Sequence, residues 1–314
     1  MKALQQIIKR VAENPSQPWA LATLVQTEGS TYRKPGARLL IEPDGKTLGV
    51  LSGGCLEEEI GCYGQEVIVN GSPVLLSFDT RRLYGCDGRL KILIEPLPAA
   101  GETGNLITKI GGSLARRDVC RVRTCFEGEP LGSELLPADV LLAEQRGAFV
   151  ETLSPPIRLL LFGVGPEIEP LTQLAGNLGW VTEHFAHPSQ LPEDFRPDAQ
   201  TAALVMTHNF GRDLLALDRA LPLQLRYVGL LGPKKRHSEL LGRLSEYRPL
   251  HFDAGMKNLY APAGLDIGSE APEEIALAIV SEVAAVLCNR MGGFLRERRS
   301  DTHTITATAG GKAA

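Results

Sequence analysis

The chain has 314 residues, 43% of them hydrophobic and 22% charged, with a formal net charge of −4. That is length for about two domains and enough apolar content for packed cores, while the slight acidity gives no electrostatic case for nucleic acid or an anionic membrane surface. Six cysteines without a secretory signal read as reduced thiols of a cytoplasmic protein rather than a disulfide frame, and no run of about 18 apolar residues offers a membrane span.

In chain order, Leu4, Ile7, Ile8 and Val11 fall at i, i+3, i+4 and i+7 and predict an amphipathic helix that stops before Pro15, a pattern unlike a signal peptide. Residues 19–26 are apolar enough for a buried strand. Residues 38–42 and 47–51 flank Pro43-Asp44-Gly45-Lys46, a hairpin turn. Residues 56–70 read as a helix closed by Gly71, and 74–78 and 90–95 as further strands. The stretch 101–135, with Cys120 and Cys125, is less regular, and 140–143 with 148–153 suggests a closing hairpin around Arg146-Gly147. Ser154-Pro155-Pro156 is the best linker, because consecutive prolines forbid both helix and ladder.

After Pro156 the pattern becomes strand, turn, helix, repeated. Residues 157–162 form an unbroken apolar run, as expected of a parallel strand covered on both faces. A helical stretch to Leu178 follows, then strands at 180–185, 202–206 and 227–231, with helices from about Arg212 to Ala220 and from Pro233 onward. Residues 272–287 are a long apolar-faced helix with Glu273 and Glu274 in its first turn; its apolar face would suit an interface between two copies as well as a core. The expected fold class is α/β: an N-terminal mixed α+β domain (1–153), a C-terminal Rossmann-like doubly wound parallel sheet (157–300) and a frayed tail (301–314).

Several segments carry chemistry. Ser52-Gly53-Gly54-Cys55-Leu56-Glu57 places a thiol where paired glycines meet a helix N-terminus. Backbone N–H groups there lower a thiol pKa, whereas Glu57, Glu58 and Glu59 add like charge and oppose it; a cysteine packed as a small apolar side chain is the alternative. Gly85-Cys86-Asp87-Gly88 is a second glycine-flanked thiol. Cys120 and Cys125 make a poor zinc pattern, with no histidine or second pair nearby.

Gly163-Val164-Gly165 follows a strand and opens a helix, the context of a pyrophosphate turn. The third position is Ile168 rather than glycine, the ribose-binding acid expected about 20 residues on is missing from its place near Glu183, His184 and Phe185, and Glu167 and Glu169 put negative charge where phosphate would bind. NAD(P) in the usual mode is therefore disfavoured. Thr207-His208-Asn209 lies past the carboxyl end of the third strand, where ligands of such sheets bind; a satisfied loop histidine competes with that reading. Gly232-Pro233-Lys234-Lys235-Arg236 has the form of an anion site or of a solvated basic turn.

Taken together, residues 27–38 (TEGSTYRKPGAR), 51–57 (LSGGCLE), 94–96 (IEP), 206–210 (MTHNF), 227–236 (YVGLLGPKKR) and 264–276 (GLDIGSEAPEEIA) resemble the XdhC/CoxI family, accessory proteins of xanthine dehydrogenase and related molybdenum hydroxylases. The resemblance runs from about residue 18 to 290. It implies a maturation role rather than turnover: binding the molybdenum cofactor (molybdopterin), which is carried rather than used, assisting its sulfuration with a cysteine desulfurase, and delivering it to the apo-hydroxylase. Cys55 matches the family cysteine after the paired glycines, and Cys86 the later one. The cofactor's phosphate would need the N–H groups and cations of the Lys234 or Gly163 turn, and its molybdenum or labile sulfur a soft ligand such as Cys55. The candidate cofactor-binding residues are thus Ser52, Gly53, Gly54, Cys55, Glu57, Gly163, Gly165, Thr207, His208, Asn209, Gly232 and Lys234. The family's more open turn is replaced here by Val164 and Pro166-Glu167-Ile168. The rival readings are an NAD(P)-dependent oxidoreductase working through the C-terminal half, and a protein whose ligand sites have degenerated and which docks partners.

Overall fold

Residues 1–29, 31–54, 56–79, 88–100, 104–137, 146–247 and 255–297 are described by the structure, a computed structural model. Cys55, Cys86, the 140–143 half of the expected hairpin and the tail from 301 lie outside the described residues. By its contacts the chain divides into two units, Met1–Ile157 with Asn177–Val181, and Arg158–Gly176 with Thr182–Ala314.

In the first unit, β1 (Trp19–Gly29), β2 (Arg38–Ile41), β3 (Thr47–Gly49), β4 (Val74–Asp79) and β5 (Gly88–Leu97) form one sheet in the order β3-β2-β1-β5-β4. Neighbouring strands run antiparallel, with Ala20 opposite Ile41 and Leu21 opposite Glu95. The first seven residues of β1 are all buried, without the in–out alternation of a one-sided sheet, because both faces are covered. On one side α1 (Lys2–Glu13) and α3 (Leu106–Ala115) pack Ile7, Val11, Ile107 and Ile110 against Trp19 and Leu21. On the other, α2 (Glu57–Asn70) sets Ile60 and Val67 against Ala20, Ala22 and Ile94. Gly71, at φ +68, closes α2 as expected.

The stretch read as irregular is not so. Asn105 caps α3 by accepting from the Thr108 N–H at 2.8 Å. It is followed by β6 (Cys120–Cys125), β7 (Gly132–Leu136) and β8 (Ala148–Leu153), an antiparallel sheet in the order β7-β6-β8. Gly111-Gly112 inside α3 masks its helical period. The burial of β6 alternates strictly, so Cys120 and Cys125 are strand residues rather than a metal pair; among the described residues no group of three or more His, Cys, Asp or Glu is arranged to hold a metal.

In the second unit, β9 (Arg158–Phe162), β10 (Val181–Phe185), β11 (Thr201–Val205), β12 (Val228–Leu230) and β13 (Leu259–Tyr260) form a sheet in the order β10-β9-β11-β12-β13. β9 with β11, β11 with β12 and β12 with β13 run parallel. The helices are α4 (Ile168–Asn177), α5 (Phe210–Ala220), α6 (Lys234–Tyr247) and α7 (Pro272–Leu287). Phe162, Val205 and Leu230 on the strands pack with Leu217 of α5 and Leu240 of α6. The two-residue β13 has too little sequence signal to be anticipated. The α/β class and the Rossmann-like sheet agree with the expectation. No helix among the described residues is long and apolar enough to cross a membrane. The strand order reverses direction between β9 and β11, which places the customary ligand crevice at their carboxyl ends.

Candidate functional site

The loop before α2 is organised by one carboxylate. Glu57, the first residue of α2, turns back and accepts N–H groups from Leu51 (2.9 Å), Ser52 (2.9 Å), Gly54 (2.9 Å) and Leu56 (3.2 Å), together with the Ser52 hydroxyl at 2.6 Å. The Ser52 oxygen in turn accepts the Leu56 N–H at 3.0 Å. Partial burial raises the Glu57 pKa, but the hydrogen bonds from Ser52, Leu51 and its own N–H outweigh that and hold it at about 2. Gly53 and Gly54 adopt φ +89 and +113, backbone that side chains rarely tolerate. Ser52 and Glu57, taken from the sequence as ligand residues, are therefore spent on the loop itself. The four amides they engage are not free for a phosphate or a thiolate. What the motif builds is a hydrogen-bonded frame of Ser52, Gly54, Leu56 and Glu57.

The second motif follows the same logic. Thr207 donates its N–H (3.0 Å) and its hydroxyl (2.6 Å) to Asp213 Oδ1, and its oxygen accepts the Asn209 N–H at 3.2 Å. The Asn209 side chain caps α5 by accepting from the Arg212 N–H at 3.0 Å. Asp213 is 1% exposed and also pairs with Arg236. Thr207 and Asn209 are scaffold, and the residue they present is His208, with φ +53 and a side chain 52% exposed. Asp213 is the hub that sequence reasoning missed. An acidic residue one turn into a helix reads as a dipole partner, and nothing local reveals that it turns inward to Thr207 and Arg236.

Gly163 lies at the switch point with φ +133, and a Cβ there would come within 2.3 Å of the Met206 carbonyl oxygen. Its N–H reaches the Phe185 carbonyl at 3.0 Å, and His184 Nε2 donates to its carbonyl at 2.6 Å. The glycine thus serves close packing of the β9 and β11 loops. Glu183, near where a ribose-binding acid would be sought, faces Arg158 at 3.6 Å. Glu167 is buried just ahead of α4. In the basic turn Arg236 is committed to Asp213, whereas Lys234 and Lys235 are exposed and, among the described residues, form no ion pair. Gly232, at φ +135, starts this turn. Gly163, Gly165, Thr207 and His208 are thus brought together, and of the basic turn Arg236 is tied to them through Asp213 and Thr207, whereas Lys234 makes no such link among the described residues. Ser52, Gly53, Gly54 and Glu57 belong to the other unit.

A cavity of about 510 Å³ in the first unit is lined by none of the candidate residues; its wall includes Glu95 and Cys125. Glu95 is 8% exposed and accepts the Ser133 N–H at 2.7 Å with one oxygen; the other has no partner. Burial raises its pKa against the hydrogen bonds from Ser133 and the charge of Arg38.

A Rossmann-type unit with a switch-point histidine, preceded in the chain by a separate β-rich unit whose paired glycines are held by a carboxylate, defines a two-part family architecture. Residues 12–79 match the model of the XdhC and CoxI family, and residues 159–283 match that of the XdhC Rossmann domain. The chain belongs to the XdhC and CoxI family. Among its relatives, a protein of Bacillus subtilis named as a probable xanthine dehydrogenase component is 28% identical over 84% of this chain and 91% of that protein. The molybdenum cofactor insertion chaperone PaoD of Escherichia coli is 24% identical over 85% of this chain and 82% of its own. The crystal structure of a xanthine dehydrogenase from Bacillus halodurans superposes with a TM-score of 0.75 at 26% identity, covering 93% of this chain and 97% of that one.

Proposed function

We propose that this protein is an accessory factor of a xanthine dehydrogenase-type molybdenum hydroxylase. It binds the molybdenum cofactor, assists its sulfuration with a cysteine desulfurase and hands it to the apo-enzyme, carrying the cofactor rather than using it. The observation that carries this reading is the match of both halves of the chain to the XdhC models, alongside a relative named as a molybdenum cofactor insertion chaperone.

The residues accommodate such a cargo selectively. Cys55 supplies the soft ligand for molybdenum or labile sulfur, flanked by backbone that Glu57 and the two glycines hold in place. Cys86 is a second thiol of the same type. Within the Rossmann-like unit, the exposed Lys234 turn offers cations to a phosphate, whereas the Gly163 turn is closed by packing and faced by Glu167. The same obstruction speaks against an NAD(P)-dependent oxidoreductase, and titration with NAD(P)H followed by fluorescence should show no binding.

The deciding experiment loads Cys55→Ala and the parent protein with molybdenum cofactor and measures bound molybdenum and transfer to an apo-hydroxylase. The variant should retain and transfer less; equal retention and transfer would remove Cys55 from the mechanism. Lys234→Ala should weaken cofactor binding, and unchanged affinity would place the phosphate elsewhere.

A further inference from the structure

Glu167 stands just ahead of α4, where a dinucleotide-binding fold seats phosphate. A carboxylate in that place repels phosphate and calls for a hydrogen-bond donor. Its side chain is 9% exposed and its Oε2 has no hydrogen-bond partner, a costly state for a buried carboxylate. His208 Nε2 lies 3.5 Å from that oxygen. The two atoms converge over the α-carbon of Gly165, where a Cβ would fall 2.6 Å from Glu167 Oε2 and 3.0 Å from His208 Nε2. Any other residue at 165 would push these two side chains from their places.

The histidine is held there at some cost. A left-handed φ of +53 is uncommon outside glycine and is maintained when surrounding bonds over-determine it. Here those bonds are the Thr207–Asp213 pair and the Asn209 cap. An orphaned buried acceptor, a half-exposed imidazole fixed beside it and a side-chain-free α-carbon beneath both lie at the sheet's switch point, where such folds bind ligands.

We propose that Glu167 and His208 read the 2-amino-4-oxopyrimidine edge shared by pterins and guanine. That edge presents an amino N–H, a ring N–H and a carbonyl oxygen side by side. A carboxylate accepts two parallel N–H donors, and the Nε2–H of the neighbouring imidazole donates to the carbonyl. The protein's row of acceptor, acceptor, donor complements the ligand's donor, donor, acceptor. The inference rests on the cofactor reading above only in favouring pterin over guanine as the source of that edge.

The test is direct binding to the full chain with three probes: pterin, guanosine, and lumazine, which carries an oxo group in place of the 2-amino group. Pterin should bind at least about tenfold more tightly than lumazine, because the unmatched carbonyl leaves Glu167 facing an acceptor. Glu167→Gln should lose at least about tenfold in pterin affinity, since its amide N–H₂ opposes a donor. Gly165→Ala should lose binding by displacing the Glu167 and His208 side chains. Circular dichroism and thermal unfolding establish that both variants are folded, and the lumazine comparison needs no variant. Guanosine binding without pterin binding would keep the edge-reading site and reject pterin as its ligand, while the Cys55→Ala metal assay tests the cofactor reading separately. Equal affinity for pterin and lumazine, unchanged affinity in Glu167→Gln, or no binding of either pterin or guanosine at millimolar concentration would overturn the proposal.

Discussion

Replacing Glu57 with glutamine isolates the charge that shapes the loop around position 55. The carboxylate accepts four backbone N–H groups and one hydroxyl, whereas the amide accepts with one oxygen and presents a donor with its nitrogen. Taken at face value, a carboxyl held at about 2 instead of 4.5 corresponds to about 3 kcal/mol of folding free energy at neutral pH. The group is only partly buried, and solvent screening reduces this to about 1–2 kcal/mol. The sign follows from the depressed value: the contribution is complete above the unfolded-state pKa and is lost as pH falls through 4.5 toward 2. Denaturant unfolding followed by the fluorescence of Trp19, buried in the first unit's core, should therefore show Glu57→Gln about 1–2 kcal/mol less stable at pH 7, with more than half of that gap gone by about pH 3. Hydrogen exchange supplies the local check, with the amides of Leu51, Ser52, Gly54 and Leu56 losing protection in the variant. A stability gap that is the same at pH 7 and pH 3, or undiminished protection at those four amides, would refute this account of the loop.

Glu95 should behave in the opposite sense. Its raised pKa means that its contribution is largest below the unfolded-state pKa and falls away as pH rises through the folded-state value, so Glu95→Gln should cost little at pH 7 and most in acid; a pH-independent difference would count against this. Asp213→Ala leaves Arg236 without its partner and Thr207 without its acceptor, and should cost about 3 kcal/mol in a urea titration; a loss below about 1 kcal/mol would mean the hub is replaceable. Gly163→Ala forces a Cβ against the Met206 carbonyl oxygen at a positive φ and should destabilise the Rossmann-like unit by about 2–4 kcal/mol in calorimetry. A neutral result would show that the β9 and β11 loops can separate.

Much of this was legible along the chain because the physics involved is local. The apolar run before Gly163 and its repeats at the later strands are what a sheet covered on both faces requires, and periodicity with capping located α1, α2 and α7. The paired glycines at 53 and 54 predicted unusual backbone, and positive φ is what they adopt. The region 101–135 escaped because Gly111-Gly112 interrupts the helical period of α3 and the short strands β6 and β7 take their identity from pairing with each other and with β8.

The sequence by itself determined which side chains are available: a thiol between glycines, a carboxylate opening a helix, a histidine beyond a strand end. Only the tertiary structure decided what each is used for. Glu57, read as a ligand residue, is consumed by its own loop; Thr207 and Asn209 are consumed by Asp213 and the α5 cap; Glu167, read as mere repulsion of phosphate, is a buried carboxylate whose Oε2 has no hydrogen-bond partner, with His208 beside it. The reason is that hydrogen-bond capacity is allotted by proximity in space. Whether a polar atom is satisfied within the protein or left for a ligand depends on neighbours tens of residues away, and no local pattern records them.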